Sequence, residues 1–460
     1  MKIVFIQSRA HQDTPDYVNE PLGLGYLAAV LIQAGFDDVH IRTALFDDVD
    51  ETVRLASEAR LVGLTATSPM LKDSLKLAEQ IKLANPEVLI VIGGAHATAL
   101  PEATAAHPQV DFVIRGEGEE TLRELATALK DGNTDLCSIR GLTYQHDGVV
   151  IHNPDRPLIS DIDNVPFPAR HLYKLESFLA RGEALFGDRG SWIFSSRGCP
   201  YQCTYCASNV LWTRRWRTRT PANIFKEIQL LVKDYKVNRI NFADDTFTVS
   251  SKRVSEVCSL IKSSGLSITW GCNVRVDTVD RELLLEMAAS GCTDVWIGAE
   301  SGSPRILKGL QKIISSEQIT QVFKWAREAG LRRRGYFMIG SPEEDLASIA
   351  ETEKLIDLLD ADSISISIFT PYPGCKAFKV SVANGLNPQS LDWSRIDLYE
   401  KVLSPTRFLS RKQIEQQHER LLKKYSGIIS TRGKTYQESE PVVRTKKQST
   451  VLGIDDAGRW

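Results

Sequence analysis

Arg197-Gly198-Cys199-Pro200-Tyr201-Gln202-Cys203-Thr204-Tyr205-Cys206 places three cysteines in one short loop, with the spacing C-x3-C-x2-C. A cubane iron–sulfur cluster normally takes four thiolates, so three cysteines can hold three irons and leave the fourth iron open. An open position on a metal is where a further ligand can be bound and activated. A structural zinc site would need a fourth Cys or His at a comparable local spacing, and the loop has none. Two alternatives remain, namely a zinc site and an electron-transfer cluster with a distant fourth cysteine.

This cysteine loop directly follows the first of six apolar segments that read as β-strands. Helical patterns separate the segments, for example at 222–235, 253–263 and 281–289. Six strand–helix units predict a partial (β/α) barrel over residues 191–385, and in barrel enzymes the chemistry lies at the carboxyl ends of the strands. The six predicted strands are 192–196, 239–243, 268–273, 294–299, 335–339 and 363–369.

The first 140 residues also alternate strand-like and helix-like segments. Continuous apolar strands between helices indicate a parallel sheet that is buried on both faces. We therefore predict an α/β, Rossmann-like domain over 1–140, whose ligand would lie beyond the carboxyl ends of the strands. The glycine-rich dinucleotide fingerprint is missing, because Gln7-Ser8-Arg9 follows the first strand, so NAD is not expected. The predicted strands are 3–7, 39–44, 61–67, 88–92 and 112–115.

The remaining segments carry weaker signals. Residues 141–190 are rich in Pro, Asp and Gly, and they predict a linker with few regular elements. Residues 386–430 predict a small helical C-terminal segment, and the polar, charged residues 431–460 predict a disordered tail.

The composition is ordinary for a globular protein of 460 residues with a formal net charge of −2. That charge does not suggest a nucleic-acid-binding protein. No stretch approaches the roughly 20 apolar residues that a membrane span requires. We expect a cytoplasmic protein, in which the eight cysteines are poor candidates for disulfides.

The C-x3-C-x2-C loop, with Tyr205 before its last cysteine and a partial barrel around it, resembles the radical SAM superfamily over about residues 191–374. The resemblance implies that Cys199, Cys203 and Cys206 hold a [4Fe–4S] cluster that cleaves S-adenosylmethionine (SAM). One departure is Cys375, since many members have Thr after the glycine at that point. The resemblance places SAM contacts on the loop and on the strand ends, at Tyr205, Asp244, Asp245, Arg275, Glu300 and Ile339.

Each charged residue of this set also has a structural interpretation. Asp244 and Asp245 are expected to be exposed at a strand end, where they would bind the SAM ammonium group or cap the next helix. Glu300 would accept hydrogen bonds from ribose hydroxyls, or form a salt bridge with Arg275. Arg275 would pair with the methionine carboxylate of SAM, or with a structural partner.

A Rossmann-like domain ahead of such a barrel resembles the cobalamin-binding class of radical SAM enzymes, and the two resemblances together cover about nine-tenths of the chain. Many cobalamin proteins carry an Asp-x-His-x-x-Gly motif whose His ligates cobalt, and residues 9–16 here do not fit it. By resemblance to the radical SAM class, cobalamin would bind with its own base displaced and no histidine in place. His11 and His96 are loose candidates for the cobalt ligand, and a domain that has lost its cofactor is the alternative. The segments that carry the resemblance are 21–27, 63–69, 93–98 and 115–119, with cobalamin contacts implied at Thr65, Ser68, Gly93, Gly94, Glu117 and Gly118.

Two runs of arginine are left over. Trp212-Thr213-Arg214-Arg215-Trp216-Arg217-Thr218-Arg219 combines cations and aromatic rings, and Arg332-Arg333-Arg334 precedes the fifth barrel strand. The first run could contact RNA, bind an anionic small substrate, or line the loop after the cysteines. The near-neutral charge and the lack of an added RNA-binding domain make nucleic acid an unlikely partner.

The sequence as a whole predicts a cobalamin-dependent radical SAM enzyme that methylates an unactivated carbon of a small-molecule substrate. By resemblance, a one-electron donor such as flavodoxin or ferredoxin reduces the cluster, a 5′-deoxyadenosyl radical takes hydrogen from the substrate, and methylcobalamin delivers the methyl group. The alternatives are a cyclase or rearrangement enzyme of the same architecture, a radical SAM enzyme without cobalamin, and a cobalamin- or cluster-sensing protein without turnover.

Overall fold

Two β-sheets, one in each half of the chain, form the framework of the protein. The computed structural model describes residues 1–9, 20–383, 386–387, 391, 393 and 406–429. His11 and the predicted tail at 431–460 lie outside the described residues.

The first sheet has seven strands in the order β2-β1-β3-β4-β5-β6-β7 when they are numbered along the chain. The first five strands in this order run parallel to one another. Strand β6 pairs antiparallel with β5, and β7 pairs antiparallel with β6. Strands β1 to β7 are Ile3–Gln7, Val39–Thr43, Leu61–Thr65, Leu89–Gly93, Phe112–Ile114, Leu142–His146 and Val149–His152. Helices α1 to α6 are Leu22–Gln33, Val49–Ser57, Leu71–Ala84, Ala95–Ala99, Pro101–Ala105 and Glu119–Lys130.

Alternate residues of β1 enter two different cores. Ile3 and Phe5 pack on one face of the sheet in the core that includes α1 and α6. Val4 and Ile6 pack on the other face, together with residues of α2 and α3. Burial on both faces explains the unbroken apolar run, and the prediction of a parallel, doubly wound sheet is confirmed.

The second sheet has six parallel strands in the order β8-β11-β12-β13-β14-β15. The predicted partial barrel is confirmed, with β8 and β15 as its two edges. A short antiparallel ribbon, β9 with β10, stands beside it. Strands β8 to β15 are Gly190–Ile193, Ser196–Arg197, Arg217–Thr218, Arg239–Phe242, Thr269–Val274, Cys292–Glu300, Arg332–Ile339 and Ser363–Ile368.

Helices cover one face of the second sheet. Ile240, Phe242 and Val295 are fully buried under them, whereas Asn241 and Trp296 on the opposite, inner face are half-buried. Near the C-terminus, Ile429 pairs with Ile364 and covers the edge of β15. Helices α7 to α16 are Leu175–Phe186, Ser208–Leu211, Pro221–Tyr235, Ser251–Ser263, Arg281–Ala289, Pro304–Gly309, Ser316–Glu328, Leu346–Leu358, Lys376–Ala383 and Arg411–Lys424.

The prediction of few regular elements between residues 141 and 190 was wrong. Strands β6 and β7 form a hairpin that extends the first sheet from β5, and α7 precedes the barrel. The hairpin turns at Asp147 and Gly148, which have φ of 51° and 75°. Positive φ at both central residues is what a type I′ turn requires, so the Asp-Gly pair was the local signal for this hairpin.

The helices of the described part of the chain are all too short or too polar to cross a membrane. The cytoplasmic location stays a prediction.

Candidate active site

The cysteine loop begins where the β9–β10 ribbon meets the barrel. Gly198 has a φ of +88°, and a Cβ built on it would lie 2.6 Å from the carbonyl oxygen of Arg215. Only glycine fits this position, because both the backbone angle and the contact exclude a side chain. The loop is fixed at its other end by Thr204, whose N–H donates to the carbonyl of Leu310 at 2.9 Å.

All three cysteines of the loop are free thiols and are half-buried. The Cys199 sulfur lies 3.7 Å from the Thr246 hydroxyl, and the Cys203 sulfur accepts from the Arg275 guanidinium at 3.6 Å. Burial raises the pKa of Cys206 to about 12. Metal binding would displace such a thiol proton. Among the described residues, no three His, Cys, Asp or Glu side chains stand ready in metal-binding geometry.

Glu300 ends strand β13 in a strained conformation, with a φ of +63° next to a shift in register. Its carboxylate accepts from the Lys312 ammonium at 2.7 Å, and both side chains are largely buried. Burial and a hydrogen bond to Glu300 raise the pKa of Tyr205 well above its ordinary value. The structure thus joins a residue of the cysteine loop to the end of β13, and it disproves the salt bridge expected between Glu300 and Arg275.

Arg275 has a structural partner, as the alternative interpretation held. Its guanidinium makes two hydrogen bonds to Asp277, of 2.9 and 3.0 Å, and stacks on the Tyr201 ring at 3.7 Å. Because the Cys203 sulfur takes a further N–H, little of this guanidinium is left for a SAM carboxylate.

Asp244 does not lie exposed at its strand end, contrary to the prediction. The residue is fully buried, and its carboxylate accepts from the Ser195 N–H at 2.7 Å and from the Ser195 and Ser196 hydroxyls at 2.5 Å. It therefore ties β11 to the segment before the cysteine loop. The helix-cap alternative is also wrong, since Ser250 caps α10.

Asp245 is the exposed member of the pair. Its carboxylate accepts from the Ser208 hydroxyl at 2.5 Å, at the start of α8 just after the third cysteine. This carboxylate, unlike that of Asp244, has capacity left for a ligand.

Two other predicted positions have apolar surroundings. The Ile339 side chain is fully buried in the core, and its carbonyl accepts from the Phe369 N–H at 2.8 Å. The SAM contact of this residue stays a prediction. Cys375 is also buried, in a small cluster with Met338 and Phe378.

In the first domain, the predicted small residues gather at the carboxyl ends of β3 and β4. The carbonyl of Gly93 accepts from the Ala66 N–H at 2.8 Å, one residue after Thr65. Gly94 has a φ of +102° and lies against the Ala66 backbone. These residues leave the edge of the sheet without bulky side chains.

His96 is buried behind this edge, in α4. Its Nδ1 lies 2.9 Å from the Ser68 hydroxyl, and its ring contacts that of Trp393 at a centroid distance of 5.7 Å. Burial lowers the pKa of His96 to about 4. Ser68 thus has a structural partner, and His96 is a buried rather than a loop histidine.

Glu117 does not lie free at the edge as a cobalamin contact. Its carboxylate accepts from Arg197 at 2.8 Å, from Arg217 at 2.8 Å and from the Ile159 N–H at 2.7 Å. Gly118 next to it packs against the Leu27 side chain. Charged groups of the barrel domain thus already occupy its oxygens, and the cobalamin contact of Glu117 stays a prediction.

The arginine runs are mostly occupied by ion pairs. Arg217 and Arg219 are buried and pair with Glu117 and Glu227, respectively. Arg333 of the second run pairs with Asp362. By contrast, Arg214 and Arg215 are exposed.

Several polar atoms near the cysteine loop are buried without a hydrogen-bond partner. They are Asn209 Oδ1, Trp216 Nε1, and Nε and Nη2 of Arg217. Buried polar groups are normally paired, so unpaired ones at a predicted cofactor site point to a partner in the bound group. Together with three thiols and the small residues of the first edge, they fit the cluster, SAM and cobalamin that the resemblance implies.

Sequence reasoning missed three residues of this region. Lys312 belongs to a loop without a local signal, and only the fold brings it to Glu300. Arg197 and Glu119 pair at 2.6 Å across the two domains. Their position beside recognisable motifs was the one available hint.

Comparison with known proteins gives two family matches in this chain. Residues 12–126 match the B12 binding domain, and residues 193–356 match the radical SAM superfamily. An uncharacterised methyltransferase of Pyrococcus horikoshii is 35% identical over 396 residues, which cover 85% of this chain and 84% of that protein. The anaerobic magnesium-protoporphyrin IX monomethyl ester cyclase of Rubrivivax gelatinosus is 28% identical over 391 residues, covering 82% and 70%.

A solved structure has the same fold. The radical S-adenosylmethionine methyltransferase TsrM of Kitasatospora setae, with cobalamin and a [4Fe–4S] cluster bound, aligns with a TM-score of 0.71. The alignment covers 91% of this chain and 82% of that one at 18% identity.

Proposed function

Because the chain belongs to the B12-binding radical SAM family, we propose that it methylates an unactivated carbon of a small-molecule substrate. It is a radical SAM enzyme whose cofactors are a [4Fe–4S] cluster, SAM and cobalamin. When bound, these groups supply the one-electron cleavage of SAM and a carrier for the methyl group.

The observation that carries this proposal is the way the active edges of the two sheets meet. Helix α4, which follows β4 of the first sheet, packs against α8, which follows the cysteine loop. Gly374, in the segment after β15, lies close to both helices. A Cβ built on it would lie 2.6 Å from the Val210 side chain in α8 and 3.2 Å from the Ala99 side chain in α4. A methyl carrier on one edge and a hydrogen-abstracting site on the other would therefore face the same substrate.

We assign the cluster to Cys199, Cys203 and Cys206. For SAM, the structure favours Asp245 over Asp244 as the partner of the ammonium group, since only Asp245 is exposed. The pair of Glu300 and Lys312, with the Tyr205 hydroxyl beside it, would receive the ribose hydroxyls.

On the first edge, we assign cobalamin to the ends of β3 and β4. Gly93 and Gly94 allow a large planar ring to approach the backbone. The half-buried Thr65 and the buried Ser68 flank them and supply hydroxyl groups.

The inner face of the barrel indicates what kind of substrate fits. Trp192 and Trp296 are half-buried there, with ring centroids 5.7 Å apart, and Tyr336 is half-buried on the same face of β14. Aromatic walls favour a substrate with an apolar or flat portion. The same wall supports a second candidate, a cyclase acting on a large ring without methyl transfer, in line with the Rubrivivax gelatinosus relative.

The deciding experiment is anaerobic. The protein would be reconstituted with iron, sulfide and hydroxocobalamin, desalted, and assayed for iron and corrinoid. It would then be incubated with a reductant, SAM labelled in its methyl group, and a small-molecule methyl acceptor that has a flat or apolar portion. About four irons per chain, a stoichiometric corrinoid and a labelled product support methylation. Formation of 5′-deoxyadenosine with an unlabelled product favours the cyclase, and a lack of 5′-deoxyadenosine overturns both.

We also propose where the one-electron donor docks. Arg214 and Arg215 are exposed on the loop that packs directly on Gly198, one residue before the first cluster cysteine. Within the described residues, neither side chain has an ion-pair partner, although the neighbouring arginines do. An exposed basic pair beside the cluster fits an acidic donor such as a flavodoxin or ferredoxin, because complementary charge steers weak redox encounters.

This docking is tested by the rate of cluster reduction as ionic strength rises. The variant Arg214→Glu/Arg215→Glu should slow reduction by an acidic donor at low salt and flatten its salt dependence, while reduction by dithionite stays unchanged. Lys324→Glu/Lys354→Glu makes the same charge change at exposed positions on the outer helices α13 and α14. If both variants slow the reaction equally, the donor responds to net charge and the assignment fails.

A further inference from the structure

The segment Arg115-Gly116-Glu117-Gly118-Glu119, between β5 and α6, contains two acidic residues that the proposed function does not use. Glu117 is 4% exposed and Glu119 is 6% exposed. Carboxylates are rarely buried to this degree unless they are paired, and both have their partners in the second domain.

These partners are Arg197 and Arg217, which lie opposite each other in the β9–β10 ribbon. Arg197 donates to Glu117 at 2.8 Å and to Glu119 at 2.6 Å. Arg217 donates to both oxygens of Glu117, at 2.9 and 2.8 Å. We call these four residues the interdomain ion cluster.

Arg197 is held almost entirely by the first domain. Its guanidinium lies 5.3 Å from the centroid of the Tyr26 ring in α1, and 5.3 Å from the centroid of the Trp212 ring. Attraction to Glu119 and Glu117 outweighs burial and raises the pKa of Arg197, so the group stays charged. Two carboxylates and two aromatic rings therefore restrict the position of this guanidinium.

Arg197 lies next to the cysteine loop in the sequence, so its contacts with the first domain also hold that loop. Arg197 is the last residue of β9, and only Gly198 separates it from Cys199, the first cysteine of the loop. Gly198 packs closely on the Arg215 backbone, since a Cβ built on it would lie 2.6 Å from that carbonyl oxygen. Glu117 and Glu119 therefore hold a residue, Arg197, that lies only two positions before the first cysteine of the iron–sulfur site.

We propose that Glu117 and Glu119 are positioning residues, which use Arg197 to set the separation between the cysteine loop and the cobalamin edge. This inference rests on the proposed function, since it concerns how two cofactor sites are brought to one substrate. Methyl transfer between groups on separate domains demands such a fixed distance, because small displacements of reacting groups lower rates steeply. Buried ion pairs suit the task, since their energy depends strongly on geometry while their net contribution to stability is small.

The test is made on the full-length protein reconstituted with cluster and cobalamin. Two variants remove the anchor with little change in volume: Glu119→Gln deletes one carboxylate, and Arg197→Lys keeps the charge but cannot bridge two carboxylates. The readout is electron paramagnetic resonance of cob(II)alamin, whose relaxation is accelerated by the nearby reduced cluster in a distance-dependent way. We expect both variants to bind iron and corrinoid as the wild type does, with a half-saturation power for cob(II)alamin that is severalfold lower.

Asp294→Asn is the matched control. It removes a largely buried carboxylate that pairs within the barrel domain, with the largely buried Arg239 and the exposed Arg332. This variant should lose stability but keep the wild-type relaxation. Unchanged relaxation in Glu119→Gln and Arg197→Lys would overturn the inference, as would an equal change in the control, whereas wild-type protein that binds no corrinoid would overturn the proposed function instead.

Discussion

The substitution Gly298→Ala probes the pair formed by Glu300 and Lys312. A Cβ built on Gly298 would lie 2.6 Å from the Lys312 Nζ and 2.8 Å from a Glu300 carboxylate oxygen. Atoms of this kind pack no closer than about 3.5 Å without repulsion. One of the two charged groups must therefore move by close to an ångström.

Neither group has space to move. Lys312 is 4% exposed, and Glu300 is held by its positive φ and by the Tyr205 hydroxyl. Overpacking alone would cost about 1–3 kcal/mol. If the pair is separated, an unpaired buried charge raises the cost to about 3–5 kcal/mol. We expect a loss of about 3 kcal/mol in the free energy of unfolding, and a SAM dissociation constant at least tenfold higher, which corresponds to about 1.4 kcal/mol.

Urea denaturation of the apoprotein measures the first quantity, and anaerobic titration of the reconstituted protein with SAM measures the second. Gly309→Ala is the control, because a Cβ there would meet nothing within 4 Å and the residue is helical, so stability should be unchanged or slightly higher. If Gly298→Ala matches the wild type in both measurements, the ion pair is not closely packed and our assignment of Glu300 to SAM loses its support.

Three further predictions concern other parts of the molecule. Cys203→Ala should reduce the reconstituted iron content from about four per chain to near zero. The control Cys137→Ala, at an exposed site, should leave the iron content unchanged. Retention of the cluster in Cys203→Ala would disprove the ligand assignment. Because His96 has a folded-state pKa of about 4, below the ~6.5 of an unfolded histidine, the unfolded chain takes up a proton first as pH falls. Relative to His96→Gln, the wild-type apoprotein should therefore lose about 2 kcal/mol of unfolding free energy between about pH 7.5 and about pH 5, and parallel curves would contradict the burial of that ring. Asp244→Asn replaces a carboxylate that accepts three short hydrogen bonds with an amide that is partly a donor. Urea denaturation should therefore show a loss of about 2–4 kcal/mol in the free energy of unfolding. An unaltered midpoint would mean that the carboxylate faces solvent.

The strands of both domains could be predicted because their apolar runs are continuous and separated by helical periods. The strand at 3–7 was predicted to the residue, and the others shifted by only a few positions. The cysteine loop was equally accessible, since its chemistry lies within ten consecutive residues. Local patterns of this kind carry the information that a single sequence provides.

What could not be predicted depends on contacts between distant residues. Glu117 and Asp244 both stand where a cofactor contact was expected, yet each is occupied by partners at least 42 residues away. No local pattern tells a carboxylate that awaits a ligand from one that is already paired. The hairpin of β6 and β7 is a different case, because its Asp-Gly turn was present and was outweighed by the prolines that follow it.

The interdomain ion cluster also has an evolutionary consequence. Each half of the chain buries charges whose partners belong to the other half, so exchanging either half for an unrelated one would leave carboxylates or guanidinium groups unpaired in the interior. We therefore expect the two modules to be inherited as a unit rather than shuffled. New substrates in this lineage would arise by exchange of residues on the inner barrel face, at positions such as Trp192, Trp296 and Tyr336, while the joint between the modules stays constant.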